Sequence, residues 1–327
     1  MLGPNGATPS RLSWSTSATP MHSRPVFRFA PSPNGALHLG HALCALIGFE
    51  RARALDGRFL VRIEDIDAGR ARVKFIADIF TDLRWLGLTW AEPVLRQSQR
   101  LAAYAAAAER LKAMGLLYPC FASRAEIASA AREAPCDPDG APLYPGLWRQ
   151  APAADIAERK AKGAGFALRL DMARAMAAAR LRLAGAALTF TELDERGSAR
   201  TIPAHPERWG DAIIVRKDVA TSYHLAVVVD DAFQGVTHVT RGADLLAATD
   251  LHRLLQLLLD LPAPLYHHHR LIMDAEGRKL AKSAGDTSLS QLRRQGLTPA
   301  DVRRLVGLAP QPAIGAMKGV PRRQTLE

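Results

Sequence analysis

The sequence predicts an α/β fold built on a parallel sheet, and three observations support that prediction. Strand and helix patterns alternate along the first 114 residues, which is typical of parallel strands joined by crossover helices. The chain has 327 residues, a length that suits an enzyme of two domains better than one small domain. Hydrophobic residues make up 48% of the chain and charged residues 23%, which indicates a folded globular protein and excludes wholesale disorder.

Each element of the first half follows from a local pattern. Short apolar runs mark the strands, and apolar residues at helical spacing mark the helices. A loop rich in Pro and Gly separates the first strand from the first helix. The predicted order is strand 26–29, helix 39–55, strand 59–63, helix 71–86 and helix 100–114. This βαβα order predicts the first half of a Rossmann-type parallel sheet, over residues 26–114.

Residues 115–210 differ in character and are predicted to form an inserted α+β subdomain. They contain Ala-rich helical pieces, Pro-rich turns and strand candidates at 167–170 and 188–191. The second half of the main sheet is predicted over 211–285, with strands at 212–215, 224–229 and 236–240 and an amphipathic helix over 243–261. Residues 286–327 are predicted to add only a short helical and basic segment.

Residues 1–25 are polar and rich in Ser, Thr and Pro. An acid-poor leader of this kind can mimic a transit peptide, but it has no clear amphipathic pattern and only Arg11 and Arg24 as strong bases. We therefore expect a disordered N-terminal extension, or an upstream start with Met21 as the true first residue.

The net charge indicates a class of binding partner, and the cysteine content indicates a cellular compartment. The formal net charge is +11, which suggests a polyanionic partner such as a nucleic acid or nucleotide phosphates. A coding bias towards Ala, Leu and Arg would give the same surplus without any function. Three cysteines cannot form a disulfide framework, so we expect a reducing, cytoplasmic compartment. No apolar run approaches the roughly 20 residues of a membrane span.

The first motif with chemical content runs from Arg28 to His41 as R-F-A-P-S-P-N-G-A-L-H-L-G-H. His38 and His41 are three positions apart, so both lie on one face of the predicted helix. Gly40 between them allows a ligand to approach the backbone closely. Helix N-termini bind anions, and two imidazoles there can donate hydrogen bonds to a triphosphate.

This stretch resembles the signature R-F-A-P-S-P-x-G-x-L-H-x-G-H of glutamyl- and glutaminyl-tRNA synthetases, within the class I aminoacyl-tRNA synthetases. The resemblance covers about residues 26–285 and implies a class I catalytic core that uses ATP, with Mg²⁺, to activate an amino acid. It implies that His38 and His41 are catalytic and that His38, Gly40 and His41 bind ATP. The start of the motif is implied to bind L-glutamate through Arg28, Phe29, Ala30, Pro31 and Ser32.

Two further motifs resemble glutamate-binding elements of the same family. Val61-Arg-Ile-Glu64-Asp-Ile-Asp67 lies at the predicted carboxyl end of a parallel strand, and Glu64 is implied to bind the amino acid. The block from Tyr223 to Asp244 reads as two buried strands around an acidic turn, with Tyr223 and Arg241 near its ends. Arginine binds carboxylates bidentately, so Arg28 and Arg241 could each take one carboxylate of glutamate, in either assignment.

The fourth motif is Lys279-Leu-Ala-Lys282-Ser283, which resembles the lysine-rich loop of class I synthetases. Ala281 replaces the usual serine, but both lysines are present. The resemblance implies that Lys279 and Lys282 are catalytic and that Lys282 binds ATP, neutralising charge that develops on the phosphates.

The start of the predicted insertion resembles a segment that holds zinc in related enzymes. The matching positions are Cys120, Ala122, Tyr144 and Trp148, and two of these cannot bind metal. Structural zinc normally has four protein ligands. We therefore expect zinc to be absent, with a rearranged site that recruits Cys136 as the alternative.

The length of the chain after the lysine loop separates branches of the family. Only 44 residues follow Ser283, fewer than the anticodon-binding regions of glutamyl or glutaminyl enzymes. This short form resembles a stand-alone catalytic core that activates L-glutamate and transfers it to the queuosine base in the anticodon of tRNA(Asp). A monomer is expected. The alternatives are a minimal glutamyl-tRNA synthetase that charges tRNA(Glu), and a catalytically inactive regulator that binds tRNA or an amino acid.

Overall fold

The computed structural model describes residues 24–132, 134–273 and 287–309. Nearly all of the expected disordered extension and the whole lysine-rich loop lie outside these residues. Within the described ranges there are ten strands and ten α-helices. The strands are β1 Val26–Phe29, β2 Arg58–Ile63, β3 Ala91–Arg96, β4 Leu117–Cys120, β5 Ala167–Leu170, β6 Thr189–Leu193, β7 Ala199–Pro203, β8 Ile213–Val215, β9 His238–Gly242 and β10 Leu265–His269. The helices are α1 Leu39–Ala54, α2 Val73–Trp85, α3 Leu101–Ala113, α4 Arg124–Ala130, α5 Ala153–Ala161, α6 Met172–Arg182, α7 Tyr223–Phe233, α8 Ala248–Leu258, α9 Leu289–Arg294 and α10 Pro299–Leu305.

The described strands form two sheets. The large sheet has seven strands in the order β3-β2-β1-β9-β10-β6-β7, and each neighbouring pair is parallel except β6 with β7. The small sheet has the order β4-β5-β8 and is antiparallel. The parallel sheet with crossover helices confirms the predicted α/β class. Because ligands bind at the carboxyl ends of the strands in such sheets, the central strands β1 and β9 point to the site.

Helices α1 and α8 illustrate how the sheet is covered. The buried residues of α1 include Leu43, Leu46 and Phe49, at helical spacing, and the helix packs on β1, β2 and β9. Helix α8 buries Leu251 and Leu255, among others, and packs against α6 and α7. These apolar faces supply much of the two large hydrophobic clusters of the core.

The predicted strand at 224–229 is wrong, because this segment is part of the helix α7. Three consecutive valines favour a strand by intrinsic propensity, but tertiary packing overrides such preferences. Helix α7 packs against α3 and α8, so four consecutive residues, Leu225 to Val228, are all buried, as they would be in a buried strand. Ser222 caps its N-terminus by accepting a hydrogen bond from Leu225 N, and Gly235, with φ of 63°, follows its C-terminus.

The segment expected as an insertion, 115–210, contributes strands to both sheets. Strands β4 and β5 lie in the small sheet, whereas β6 and β7 extend the large one. Conversely, the strand predicted at 212–215 for the large sheet is β8 of the structure, and β8 pairs with β5 in the small sheet instead. Burial patterns alone do not reveal which partner strand completes a ladder, and this is why sheet membership differs from the expectation.

Helices α9 and α10 pack back onto the first half of the core. Arg293 donates to Asp82 of α2 at 3.0 Å, and Arg303 pairs with Glu50 of α1. Among the described residues, no helix combines the length and apolar character needed to cross a membrane.

Candidate active site

A cavity of about 500 Å³ lies at the carboxyl ends of the central strands. Its walls come from β1 and the loop after it, the start of α1, the end of β2, the start of α7, and the ends of β9 and β10. Eleven of the residues predicted for the site line it: Arg28, Phe29, Ala30, Pro31, Ser32, His38, Gly40, His41, Glu64, Tyr223 and Arg241. The other two, Lys279 and Lys282, lie outside the described residues.

Two histidines form the N-terminal cap of α1. His38 Nδ1 accepts a hydrogen bond from Gly40 N at 3.1 Å, and His41 Nδ1 accepts one from His38 N at 3.2 Å. A backbone N–H can only donate, so the proton of each neutral ring lies on Nε2. The two ring centroids are 3.9 Å apart. This cap places two imidazole donors at a helix N-terminus, which is an arrangement suited to phosphate.

A buried network of two arginines and two carboxylates lies beside the cavity, and two of its members, Arg28 and Glu64, line it. Asp231 accepts from Arg28 Nε at 3.1 Å and from Arg62 Nη1 at 2.7 Å. Arg62 also donates to Glu64 Oε1 at 3.2 Å. Burial alone would raise the pKa of Asp231, but the guanidinium groups of Arg28 and Arg62 lower it overall. The charge of Arg28 is therefore partly balanced by Asp231, which it shares with Arg62.

Glu64 lies at the end of β2 and is 8% exposed. Burial raises the pKa of its carboxyl group, and this effect exceeds the opposing influence of Arg62 and Arg28. A cationic ligand group beside Glu64 would favour the ionised carboxylate. Glu64 can thus serve as a partner for an ammonium group in the cavity.

Arg241, at the end of β9, has a different environment from Arg28. Its guanidinium donates to His268 Nε2 at 3.1 Å, His252 Nδ1 at 3.1 Å, Thr249 Oγ1 at 2.7 Å and Tyr223 Oη at 3.4 Å. Across the described ranges, no carboxylate lies within ion-pair distance of it. Arg241 is only 4% exposed, so the cavity contains a buried cation that an anionic ligand could neutralise.

Cys44 of α1 also lines the cavity, and its thiol donates to Thr240 O at 3.3 Å. Burial raises the pKa of Cys44 to about 12, so the residue is a thiol at neutral pH. A protonated thiol is a weak nucleophile, and Cys44 has a packing role here.

The degenerate zinc positions form a small apolar cluster. Cys120 and Tyr144 are buried, and the Cys120 thiol donates to Tyr144 Oη at 3.3 Å. Tyr144 Oη also accepts from Trp148 N at 2.9 Å. Ala122 and Trp148 offer no metal ligand, and no group of three or more His, Cys, Asp or Glu side chains in the described part of the chain could hold a metal ion. These residues do not fit a four-ligand zinc site.

Several residues around the site carried no signal in the sequence motifs. They are Glu192, Asp231, Thr249, His252 and His268, and Arg62 of the second motif was given no role. Asp231 belongs to the acidic pair in the third motif, but its contacts depend on the helix that was predicted as a strand. The others are recognisable only from spatial proximity to Arg28, Glu64 and Arg241.

The model of the family "tRNA synthetases class I (E and Q), catalytic domain" matches residues 26–313. A solved glutamate–tRNA synthetase from Elizabethkingia anophelis superposes with a TM-score of 0.70 at 26% identity, over 89% of this chain and 63% of that one. The fold and the site thus define a class I tRNA synthetase catalytic domain.

Similarity to curated proteins identifies the branch within this class. The chain is 49% identical to the glutamyl-Q tRNA(Asp) synthetase of Rhodobacter capsulatus, over 86% of this chain and all of that protein. It is 38% identical to the glutamate–tRNA ligase of Parasynechococcus marenigrum, over 83% of this chain but 55% of that protein. The chain belongs to the family of glutamyl-Q tRNA(Asp) synthetases.

Proposed function

We propose that this protein activates L-glutamate with ATP and transfers the glutamyl group to the queuosine base in the anticodon of tRNA(Asp). The main observation behind this proposal is that one cavity contains both the buried cation of Arg241 and the imidazole cap formed by His38 and His41. The first suits a carboxylate, and the second suits phosphate. The acceptor is proposed from the named relative in Rhodobacter capsulatus.

The glutamate subsite is proposed to lie between Arg28, Glu64, Tyr223 and Arg241. Arg241 takes a carboxylate of the substrate, because no carboxylate among the described residues neutralises it. Glu64 takes the ammonium group, and Tyr223 donates a hydroxyl hydrogen bond. The backbone from Phe29 to Ser32 forms the remaining wall of this subsite.

In the first chemical step, a carboxylate oxygen of glutamate attacks the α-phosphorus of ATP, and pyrophosphate leaves. His38 and His41 are proposed to donate hydrogen bonds to the phosphates while Gly40 permits their close approach. Lys279 and Lys282 would neutralise the charge that develops on the phosphates, and Mg²⁺ would accompany ATP. In the second step, a nucleophilic group of queuosine attacks the glutamyl carbonyl carbon, and AMP leaves.

We further propose that the enzyme acts in the cytoplasm with its tRNA substrate, as a monomer and without structural zinc. The packed cluster of Cys120, Tyr144 and Trp148 supports the last point, because its polar groups already bond to one another.

A second candidate function is the charging of tRNA(Glu). It is favoured by the 38% identity to a glutamate–tRNA ligase and by the similarity to a solved glutamate–tRNA synthetase. The same cavity would serve the activation step in both cases, so only the acceptor separates them. A third candidate, a regulator without catalysis, predicts binding of glutamate or tRNA with no exchange of pyrophosphate.

The test is transfer of labelled glutamate, with ATP, to queuosine-containing tRNA(Asp) and to tRNA(Glu) in parallel. We expect label on tRNA(Asp) that survives prior periodate oxidation of the 3′ end, because the acceptor is a base. Label on tRNA(Glu) that periodate prevents would instead establish charging. Absence of label on both, together with absence of glutamate-dependent pyrophosphate exchange, would support the regulator.

A further inference from the structure

The guanidinium of Arg241 is enclosed by neutral hydrogen-bond acceptors from three elements. Thr249 and His252 belong to α8, His268 belongs to β10, and Tyr223 begins α7. The side chains of Thr249 and His252 are almost fully buried, and that of His268 is 3% exposed. We call Thr249, His252 and His268 the acceptor cage of Arg241.

Arg241 determines the tautomer of each histidine in the cage. Arginine has N–H donors and no acceptor, so His252 Nδ1 and His268 Nε2 must carry lone pairs. The remaining proton of His268 lies on Nδ1, which is 2.7 Å from Glu192 Oε2 and donates to it. Both rings are therefore neutral while the cage is intact, since a protonated ring would direct an N–H at an N–H.

The hydrogen bond between His252 and His224 is consistent with the neutral tautomer of His252. Its Nε2 carries the proton and lies 3.2 Å from His224 Nδ1, which accepts it. Burial, together with the charge of Arg241, lowers the pKa of His252 well below its ordinary value. Burial also lowers the pKa of His268, despite the neighbouring Glu192. The environment thus favours the neutral rings that the hydrogen bonds require.

We propose that Thr249, His252 and His268 are positioning residues that fix the orientation of the Arg241 guanidinium while leaving its charge available to the carboxylate of glutamate. This inference rests on the proposed function, in which Arg241 binds glutamate. A carboxylate in the cage would hold Arg241 as firmly but would neutralise it. Arg28 illustrates that other arrangement, because its position is fixed by Asp231.

Positioning matters because an unrestrained arginine loses rotamer entropy when it binds a ligand. Ordering one long side chain weakens binding by roughly two- to tenfold. The cage holds Nε, Nη1 and Nη2 of Arg241 before glutamate binds, so the rotamer entropy of this side chain is lost during folding and not during binding. The cage should therefore affect binding of glutamate and not binding of ATP.

The matched test compares Thr249→Val with Thr249→Ser. Valine has nearly the shape of threonine but no acceptor for Arg241 Nη2, whereas serine keeps the hydroxyl. We expect Thr249→Val to raise the KM for glutamate up to about tenfold, because glutamate must then order the guanidinium itself, and Thr249→Ser to stay within about twofold of the unchanged protein. The KM for ATP and kcat should be unchanged in both.

A second pair, His252→Leu and His252→Gln, tests the same idea at another atom. Glutamine can accept from Arg241 through its amide oxygen, so it should restore most of the affinity that leucine loses. Glutamate-dependent pyrophosphate exchange in the presence of queuosine-containing tRNA(Asp) gives KM and kcat, and circular dichroism verifies folding. A merely structural role would lower the folded fraction and leave the KM for glutamate unchanged.

The outcomes separate this inference from the proposed function. If the unchanged protein exchanges pyrophosphate and Arg241→Ala loses affinity for glutamate, but Thr249→Val and His252→Leu keep the normal KM, the cage has no positioning role. If Arg241→Ala keeps the normal KM, the glutamate subsite itself is misassigned. If the two apolar variants raise the KM and their polar counterparts do not, the inference stands.

Discussion

Asp230 and Asp231 are adjacent in the chain, yet their carboxylates bond to different sets of residues around helix α7. Successive residues of an α-helix point about 100° apart. Asp231 bonds to the two buried arginines beside the cavity. Asp230 lies on a neighbouring face of the helix and accepts hydrogen bonds from Gln97, Arg100 and Tyr104. One acidic pair thus ties the same helix to the substrate site and to the core.

This division predicts different consequences for two matched substitutions. Asp231→Asn should lower the free energy of unfolding by about 3 kcal/mol or more, because it leaves Arg28 and Arg62 with too little countercharge. It should also raise the KM for glutamate, since Arg28 loses the group that holds it. Asp230→Asn should lower stability but leave that KM within about twofold. Urea unfolding would measure the free energy of unfolding, and pyrophosphate exchange would measure the KM for glutamate. An equal change of KM in the two variants would contradict the separate roles of Asp230 and Asp231.

Gly40 is predicted to be required for the histidine cap. A Cβ at this position would lie 3.0 Å from His38 Cε1 and 3.2 Å from His38 Nδ1, so the imidazole would have to move. We expect Gly40→Ala to raise the KM for ATP several-fold with little change in the KM for glutamate. Gly165→Ala is the control, because a Cβ there meets no atom within 4 Å. An unchanged KM for ATP in Gly40→Ala would exclude a phosphate role for this cap geometry.

Metal content is predicted to be low. Protein purified without chelators should contain less than about a tenth of an equivalent of zinc, because structural zinc requires about four ligands and the cluster offers two. Added EDTA should leave the melting temperature unchanged. Elemental analysis and thermal unfolding measure these, and a full equivalent of zinc would mean that Cys120 and Cys136 recruit other ligands.

Stability is predicted to fall on mild acidification. Burial and the charge of Arg241 lower the pKa of His224 to about 4, whereas an unfolded histidine titrates near 6.5. Between these values the unfolded chain binds more protons, so the free energy of unfolding decreases as the pH falls from about 6.5 to 4, by at most about 3 kcal/mol for this residue.

The matched variants for this prediction are His224→Asn and His205→Asn. The ring of His224 is surrounded by Trp209, Tyr223 and His252, whereas His205 lies on the surface. Urea unfolding at several pH values should give a shallower pH dependence for His224→Asn and the original dependence for His205→Asn. An equal pH dependence of stability in the unchanged protein and in both variants would mean that a group other than His224 causes the acid sensitivity.

Local patterns were sufficient to predict the α/β class, and the motifs that resemble the synthetase family identified eleven of the residues that line the cavity. They were insufficient for α7, where packing between two helices outweighs the strand preference of valine. Strands β3, β4 and β7 were missed because short, partly exposed strands carry little periodicity, and β10 was missed because its buried sequence, Leu-Tyr-His-His-His, is neither an apolar run nor an alternation. The partners of Arg241 were missed for another reason. Thr249 and His268 approach it only through the pairing of β9 with β10 and the packing of α8, which no local spacing encodes.

The adjacency of β1 and β9 has a consequence for how the chain acquires activity. Arg28 donates to Thr240 O across a separation of 212 positions, and Arg241 is the next residue of β9 after Thr240. A ribosome therefore completes the first half of the sheet long before the strand that supplies the second arginine emerges. Non-local pairings of this kind form late and slowly in folding. Glutamate should accordingly bind only after the two halves have joined, which makes its binding a reporter of complete assembly.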